Sequence, residues 1–174
     1  MSEVGKLYHL IKLQATSYKL QAPSIVLPIQ SVGVQGDGRT YRHPLALFSK
    51  KPCEPMDEHF ELAASIPNAN RSYNRVLLCL SHSKPFDPVF TPTTITREMA
   101  DLLREADAIV DEEMRKADLY KVIWQFPVVL IPCGANEGSR SIVLRPIEST
   151  DAMTAAPYRL PPSILEIILS LIHI

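Results

Sequence analysis

The stretch that decides the fold is SIVLPIQSVGVQGDGRTYRHPLALF, residues 24–48. β-Branched and other apolar side chains crowd residues 24–34 and again residues 40–48, so both runs predict β-strands. Between them, three of the six glycines fall within six residues, beside Asp37 and Arg39. Glycine-rich connections of this kind join the strands of a hairpin, and the glycines are expected to let the chain turn tightly with positive φ. The residues therefore predict two strands and a tip that carries one carboxylate and one guanidinium.

Apolar periodicity and turn residues divide the rest of the chain into further elements. Helices are predicted over residues 6–20, 53–65, 97–120 and 161–170. Strands are predicted over residues 75–81, 126–132 and 141–149. Turns and loops are predicted over residues 66–74, 82–94 and 133–140. The long third helix has one apolar face, and Thr94 or Thr96 is expected to cap it.

The order of these elements repeats along the chain. The first half has a helix, a strand, a glycine loop ending in Arg39, a strand, a helix and a strand. The second half has a helix, a strand, a glycine loop ending in Arg140, a strand and a helix, and then stops. We therefore expect an α+β fold of two similar α/β units, residues 1–84 and 95–168. A proline-rich linker over residues 85–94 joins them, and the second unit is truncated before its last strand.

The last six residues, LSLIHI at positions 169–174, are expected to be a non-native tail. Their reverse translation matches the end of a transposase adapter used in preparing sequencing libraries. A sheet that lacks its final strand also leaves backbone groups unpaired. We therefore expect the native sequence to continue past Ile168.

Composition narrows the class of protein. Hydrophobic residues make up 46% of the 174 residues, enough to fill a core, and the formal net charge is −1 without a block of one sign. Bulk charge thus gives no reason to expect a nucleic acid or an anionic membrane as partner. The three cysteines form no CxxC pair, and the N-terminus has no signal-peptide pattern, so we expect reduced thiols and a cytosolic location.

The common catalytic and metal-binding motifs are missing from this sequence. No nucleophile elbow, Walker loop or dinucleotide fingerprint occurs, and a strand rather than a helix follows VGVQGDG. The histidines have no zinc spacing and no paired carboxylates; those considered are His9, His43, His59 and His82. The residues therefore predict no catalytic group and no metal site.

Five stretches, in order, resemble the C-terminal region of glutamine-hydrolysing GMP synthase. They are LPIQSVGVQGDGRTY, IPNANRSYNRVLL, ADLYKVIWQFPVVLIP, RSIVLRPIESTDAMTA and RLPPSILEII. The two-unit length and the proline linker are more similar to the longer, eukaryotic-type form. The resemblance covers nearly the whole chain.

The resemblance implies a part of a ligase of guanine nucleotide biosynthesis. In that family, ATP adenylylates xanthosine monophosphate (XMP), and ammonia from glutamine then displaces AMP to give GMP. The C-terminal region closes the nucleotide site and supports a homodimer. The glutaminase domain, the ATP-pyrophosphatase domain and the final tail are missing from this sequence, so we expect no activity from the chain alone. ATP and Mg²⁺ would be bound by the missing ATP-pyrophosphatase domain, and we expect this chain itself to bind no cofactor.

The resemblance also implies three residues that contact XMP or GMP. Asp37 falls on the family's nucleotide-contacting carboxylate and suits a ribose hydroxyl or a base N–H. Arg39 suits a phosphate, since a guanidinium matches phosphate oxygens. Gln125 falls on a family glutamine whose amide suits the base or the ribose. Arg140 is expected to make a structural ion pair. Asp151 is expected to cap a local turn, with an interface role as the alternative.

Alternatives remain at each position. Gly-Asp-Gly between strands is by default a hairpin turn in which the aspartate bonds its own backbone. Arg39 alone would be a solvated arginine, and Gln125 alone a capping or surface residue. The rival hypothesis for the whole chain is a non-catalytic α/β module that only dimerises or binds a partner.

Overall fold

The computed structural model describes residues 22–35 and 38–172. The helix predicted over residues 6–20 and the predicted site residue Asp37 lie outside these ranges. The chain divides into two compact units, the first reaching Phe90 and the second starting at Thr91. Both units contain helices and mainly antiparallel strands, so the predicted α+β class is confirmed. No described helix has the length and apolar character needed to cross a bilayer.

The first unit is built around one long strand, β3. Its elements, in chain order, are β1 (Ser24–Val26), β2 (Ser31–Gln35), β3 (Gly38–Phe48), α1 (Asp57–Ala69), β4 (Tyr73–Cys79) and β5 (Val89–Phe90). The amino-terminal half of β3 pairs with β2 in antiparallel fashion, which confirms the predicted hairpin. Its carboxyl-terminal half pairs with β1 in antiparallel and with β4 in parallel fashion. α1 connects the parallel pair, as such a crossover requires.

Several boundaries in this unit differ from the prediction: α1 begins at Asp57 rather than at residue 53, β4 begins at Tyr73 rather than at residue 75, and β5 lies within the predicted loop 82–94. Two further differences involve prolines. The strand predicted over residues 24–34 is broken into β1 and β2, with Pro28 in the break. Proline lacks the N–H that a continuous ladder would need. The turn predicted to begin at residue 66 begins instead after Ala69, and Pro67 lies within the last turn of α1. Pro67 has no N–H to donate to the carbonyl of residue 63, so one hydrogen bond of the last turn is missing. The helix nevertheless continues through Ala69.

The core of the first unit lies between the sheet and α1. One cluster of four buried side chains lies there: Leu45 and Leu47 from β3, Ile66 from α1 and Tyr73 from β4. Removal of their apolar surface from water is the main force holding α1 on the sheet. Further buried side chains of this unit include Ile25 and Phe48.

The pairing of β3 with β4 contains a bulge. His43 faces Tyr73 and Leu45 faces Val76, so Asn74 and Arg75 together oppose the single residue Pro44. Pro44 has no N–H to offer a partner, and bulges accommodate such residues. The extra residue bends the strand and changes the direction of neighbouring side chains.

The second unit consists of two helices and several short strands. They are α2 (Arg97–Lys116), β6 (Val128–Ile131), β7 (Cys133–Gly134), β8 (Ser141–Leu144), β9 (Ile147–Glu148), β10 (Ala156–Pro157) and α3 (Pro162–Leu171). β6 pairs with β8, and β9 with β10, both in antiparallel fashion. The strand predicted over residues 141–149 is thus interrupted near Pro146. α3 includes the first three residues of the expected tail.

α2 presents the predicted apolar face, with one addition. Ala106, Val110 and Met114 are buried on it, and so is Glu113. The Glu113 carboxylate accepts from Lys116 Nζ at 2.7 Å, which compensates its burial. Of the two predicted caps, Thr96 is the one that acts, since its Oγ1 accepts from Met99 N at 3.2 Å.

Candidate functional site

The β2–β3 hairpin carries the first part of the candidate site. Gln35 pairs with Gly38 at its end, and Arg39 faces Val34 in the next pair. The Arg39 side chain is exposed. The two residues between the strands, Gly36 and Asp37, are outside the described ranges, so the assignment of Asp37 to the nucleotide stays a prediction.

Three exposed arginines lie on or next to this hairpin. Arg42 Nε donates to Arg71 O at 3.1 Å and Arg42 Nη1 to Tyr41 O at 3.0 Å. Arg39, Arg42 and Arg71 are all exposed, and none of them makes an ion pair with a carboxylate in the described part of the chain. Guanidinium groups in this state suit an anionic ligand, and phosphate matches their planar donors.

Polar side chains from β4 hold the hairpin. Asn74 Nδ2 donates to Ser31 O at 2.7 Å and to Thr40 O at 3.3 Å, so one amide touches both strands. Ser31 Oγ donates to Asn74 Oδ1. Arg75 Nη2 donates to Val32 O at 2.9 Å. Asn74 and Arg75 are the two bulge residues opposite Pro44.

The glycines of the hairpin do not all serve the purpose predicted for them. They were expected to supply positive φ, yet the described ones, Gly33 and Gly38, have ordinary φ. Gly33 is needed for close approach instead, because a Cβ atom there would lie 2.8 Å from Asn74 Cβ. Gly38 has no heavy atom within 4 Å of the corresponding position.

Gln125 lies in the second unit, just before β6. Its backbone forms an isolated antiparallel bridge with Ile147: Gln125 N donates to Ile147 O at 3.2 Å and Ile147 N to Gln125 O at 2.8 Å. Trp124 N donates to the same Ile147 oxygen at 3.0 Å. The Gln125 side chain is exposed. The backbone is therefore fixed while the amide stays available to a ligand.

Arg140 forms hydrogen bonds to loop residues and no ion pair with a described carboxylate. Its Nε donates to Thr93 Oγ1 at 3.0 Å and its Nη1 to Gly138 O at 3.2 Å. No carboxylate of the described residues pairs with it, so the expected ion pair is wrong, although the role is structural. A hydroxyl and a carbonyl satisfy the same donors at less desolvation cost than a second charge.

Asp151 organises a tight turn, as predicted. Its Oδ1 accepts from Thr154 N at 2.7 Å, from Thr154 Oγ1 at 2.8 Å and from Met153 N at 2.9 Å. These bonds lower the pKa of the Asp151 carboxyl from 3.8 to about 2, with the Thr154 backbone bond the largest cause. Ala152, between Asp151 and Met153, has a positive φ of 58°, in the left-handed region.

No group of three histidine, cysteine or acidic side chains in residues 22–35 and 38–172 could hold a metal ion. Among the thiols, Cys133 is buried, and burial raises its pKa from 9.0 to about 11. It is thus a packing residue rather than a nucleophile.

Comparison with known proteins leads to the same family as the sequence resemblance. The family described as "GMP synthase C terminal domain" matches residues 112–173. A probable glutamine-hydrolysing GMP synthase of Leptospira interrogans is 42% identical over 144 residues, which cover 81% of this chain and 23% of that protein. The chain belongs to the GMP synthase family.

Two further GMP synthases extend the comparison. That of Dictyostelium discoideum is 37% identical over 154 residues, covering 80% of this chain and 21% of its own length. That of Bifidobacterium longum is 51% identical over 79 residues, covering 41% of this chain. The chain thus spans about a quarter or less of the GMP synthases that it matches.

The predicted site residues fall in both units of this GMP synthase region. Arg39 belongs to the first unit and Gln125 to the second. Sequence reasoning missed Asn74 and the three exposed arginines as a set. One signal was available: Asn74 and Arg75 are polar residues at the start of an apolar strand, opposite a strand that contains Pro44.

Proposed function

We propose that the chain forms the region of a GMP synthase that closes the nucleotide site and supports a dimer. The complete enzyme converts XMP to GMP with ATP and glutamine. The observation that carries the proposal is the 42% identity to a GMP synthase over 81% of the chain. ATP and Mg²⁺ bind elsewhere in the complete enzyme, and the chain by itself makes no GMP.

The roles of the site residues follow from their chemistry. Arg39 supplies a donor to the nucleotide phosphate, supported by its exposure and its lack of a described carboxylate partner. Asp37 accepts from a ribose hydroxyl or a base N–H. Gln125 offers an exposed amide from a backbone held by Ile147, which suits the base or the ribose. None of the three makes or breaks a bond.

The test is XMP binding by the complete enzyme that carries this region. Asp37→Ala, Arg39→Ala and Gln125→Ala should each raise the Kd for XMP by roughly tenfold or more, the loss of one hydrogen bond or charge-assisted bond. Arg97→Ala and Gln30→Ala are matched controls, since both side chains are exposed and lie outside the site. Unchanged affinity in all three site variants would overturn the proposal. Turnover of XMP and ATP by the purified 174-residue chain would contradict the stated division of labour.

The second candidate is a non-catalytic module that only dimerises, and one surface favours it. Tyr120, Val122 and Trp124 are 52%, 56% and 43% exposed, whereas Ile123 between them is buried. Aromatic side chains of this kind are enriched in interfaces. Light scattering of the chain and of Val122→Lys tests the surface. A dimer lost in that variant, together with XMP affinity indifferent to Arg39 and Gln125, would favour the module.

A further inference from the structure

We propose that Asn74 is a positioning residue for nucleotide binding. From the bulge in β4 its amide fixes the direction of the β2–β3 hairpin, and so sets where Arg39 meets XMP. The inference rests on the proposed function, because the hairpin is the element assigned to the nucleotide there.

The first support is the number and placement of the bonds. Asn74 Nδ2 donates to Ser31 O at 2.7 Å on β2 and to Thr40 O at 3.3 Å on β3, and Asn74 Oδ1 accepts from Ser31 Oγ. A single side chain therefore bonds both strands of the hairpin. An amide is the side chain that can donate and accept at once in this way.

The second support is that the described side chains of the hairpin lie outside the buried core. None of the described side chains of residues 31–33 and 38–43 is buried. Val32 is 42% and Tyr41 is 53% exposed, although both are large and apolar. The core residues of β3, Leu45 and Leu47, begin only beyond Pro44. Among the described residues, the polar bonds from Asn74 and Arg75 are thus the side-chain contacts that hold the hairpin to β4.

The third support is that the surrounding backbone is shaped for this contact. The two-for-one bulge opposite Pro44 turns Asn74 and Arg75 toward β2, where Arg75 Nη2 donates to Val32 O at 2.9 Å. Gly33 leaves room for the amide, since Asn74 Nδ2 lies 3.0 Å from where a Cβ would stand. The β4 bulge, Gly33 and the Asn74 amide thus all contribute to the contact between β4 and the hairpin.

The experiment compares Asn74→Ala and Asn74→Asp with Asn68→Ala. Aspartate keeps the shape of asparagine and the acceptor for Ser31 Oγ, but it has no N–H for Ser31 O and Thr40 O. Asn68 is a matched control because its exposed amide also donates to a backbone carbonyl, Ala64 O at 2.9 Å, within α1. Both Asn74 variants should speed hydrogen exchange at the hairpin amides of the chain.

In the complete enzyme, both variants should raise the Kd and the KM for XMP by roughly ten- to hundredfold, the loss of one or two net hydrogen bonds. The kcat at saturating XMP and the KM for ATP should stay within about twofold. A merely structural role would instead lower kcat with the fraction of folded enzyme and leave the KM for XMP unchanged. If Asn74→Ala does not fold, the isosteric Asn74→Asp carries the test.

Two results would overturn the inference: hairpin amides that exchange as in the wild type, or faster exchange with an unchanged Kd for XMP. The proposed function fails separately, since only then do Asp37→Ala, Arg39→Ala and Gln125→Ala also leave the Kd for XMP unchanged.

Discussion

Gly33 and Asn74 touch across 41 residues of sequence, and the contact is closer than any side chain at residue 33 would allow. A Cβ atom there would stand 2.8 Å from Asn74 Cβ and 3.2 Å from Asn74 Cγ. Gly38, in the same hairpin, has open space in the corresponding position. Substitution by alanine should therefore affect stability differently at Gly33 and at Gly38.

Gly33→Ala should destabilise the first unit by about 1–3 kcal/mol, because Asn74 or the backbone must move to admit the methyl group. Gly38→Ala should be neutral or stabilising by about 0.4–1 kcal/mol, since its φ suits alanine and the unfolded chain loses freedom. Urea unfolding of both variants measures the difference. Equal costs would show that Gly33 is not held by Asn74.

Ile168 and Ile167 are neighbours on α3 with opposite environments, 0% and 41% exposed. Ile168→Ala should lower the free energy of unfolding by about 2–5 kcal/mol, because it leaves a cavity in the core. Ile167→Ala changes helix propensity equally but opens no cavity, so it should cost less than about 1 kcal/mol. Thermal and urea unfolding distinguish the two. A similar loss in both would mean that α3 does not pack as described.

Thr96 and Thr94 offer a test of the α2 cap. Thr96→Ala removes the oxygen that accepts from Met99 N, and should destabilise the second unit by about 0.5–2 kcal/mol. Thr94→Ala is the control, since Thr94 is exposed and makes no cap. Circular dichroism during urea unfolding measures both. The cap assignment fails if Thr94→Ala proves the costlier change.

The Asp151 turn should depend on acid pH. The pKa of the carboxyl is lowered from 3.8 to about 2 by bonds that only the carboxylate makes fully. Its stabilisation is therefore complete above pH 3.8 and is lost as the pH falls through about 2. Amide shifts of Met153 and Thr154 should follow that titration by NMR. Asp151→Asn should abolish the response and Asp107→Asn should not; a midpoint near 4 would contradict the bonding.

The three thiols should react at different rates. Burial raises the pKa of Cys133 from 9.0 to about 11, so at pH 8 its thiolate is scarce as well as inaccessible. Cys53 and Cys79 are only partly buried. Mass spectrometry after iodoacetamide treatment should find Cys133 labelled more slowly than Cys53 and Cys79, by roughly tenfold or more, because its thiolate is scarce and its sulfur is shielded from the reagent. Comparable labelling in native protein would argue against its burial.

Sequence periodicity predicted most of the elements, because each reports a local preference. The hairpin, α1, α2, β4 and α3 all overlap their predicted ranges, with ends that differ by up to four residues. Pro28 and Pro146 broke two predicted strands, since the missing N–H weighed more than the β-branched neighbours. Pro67 failed to end α1, because in the last turn of a helix one lost bond costs little.

The candidate site was harder to predict, because its organisation is long-range. Asn74 lies 43 residues from Ser31, and nothing local to YNRVLL shows which strand an amide there will meet. Gly33 was assigned a conformational role, whereas the reason is a contact made by that distant amide. Arg140 was expected to meet an acid and instead meets Thr93, 47 residues earlier.

The arrangement around β3 also has a kinetic consequence. β2 and β3 are adjacent in sequence, and hairpins of this kind close in about 1–10 μs. β4 joins only after α1 and its connections have been spanned, a slower, non-local step. The amide that aims the hairpin arrives with β4. The described strands of the β2–β3 hairpin are therefore expected to pair early, and to reach their final direction only when β4 joins the sheet.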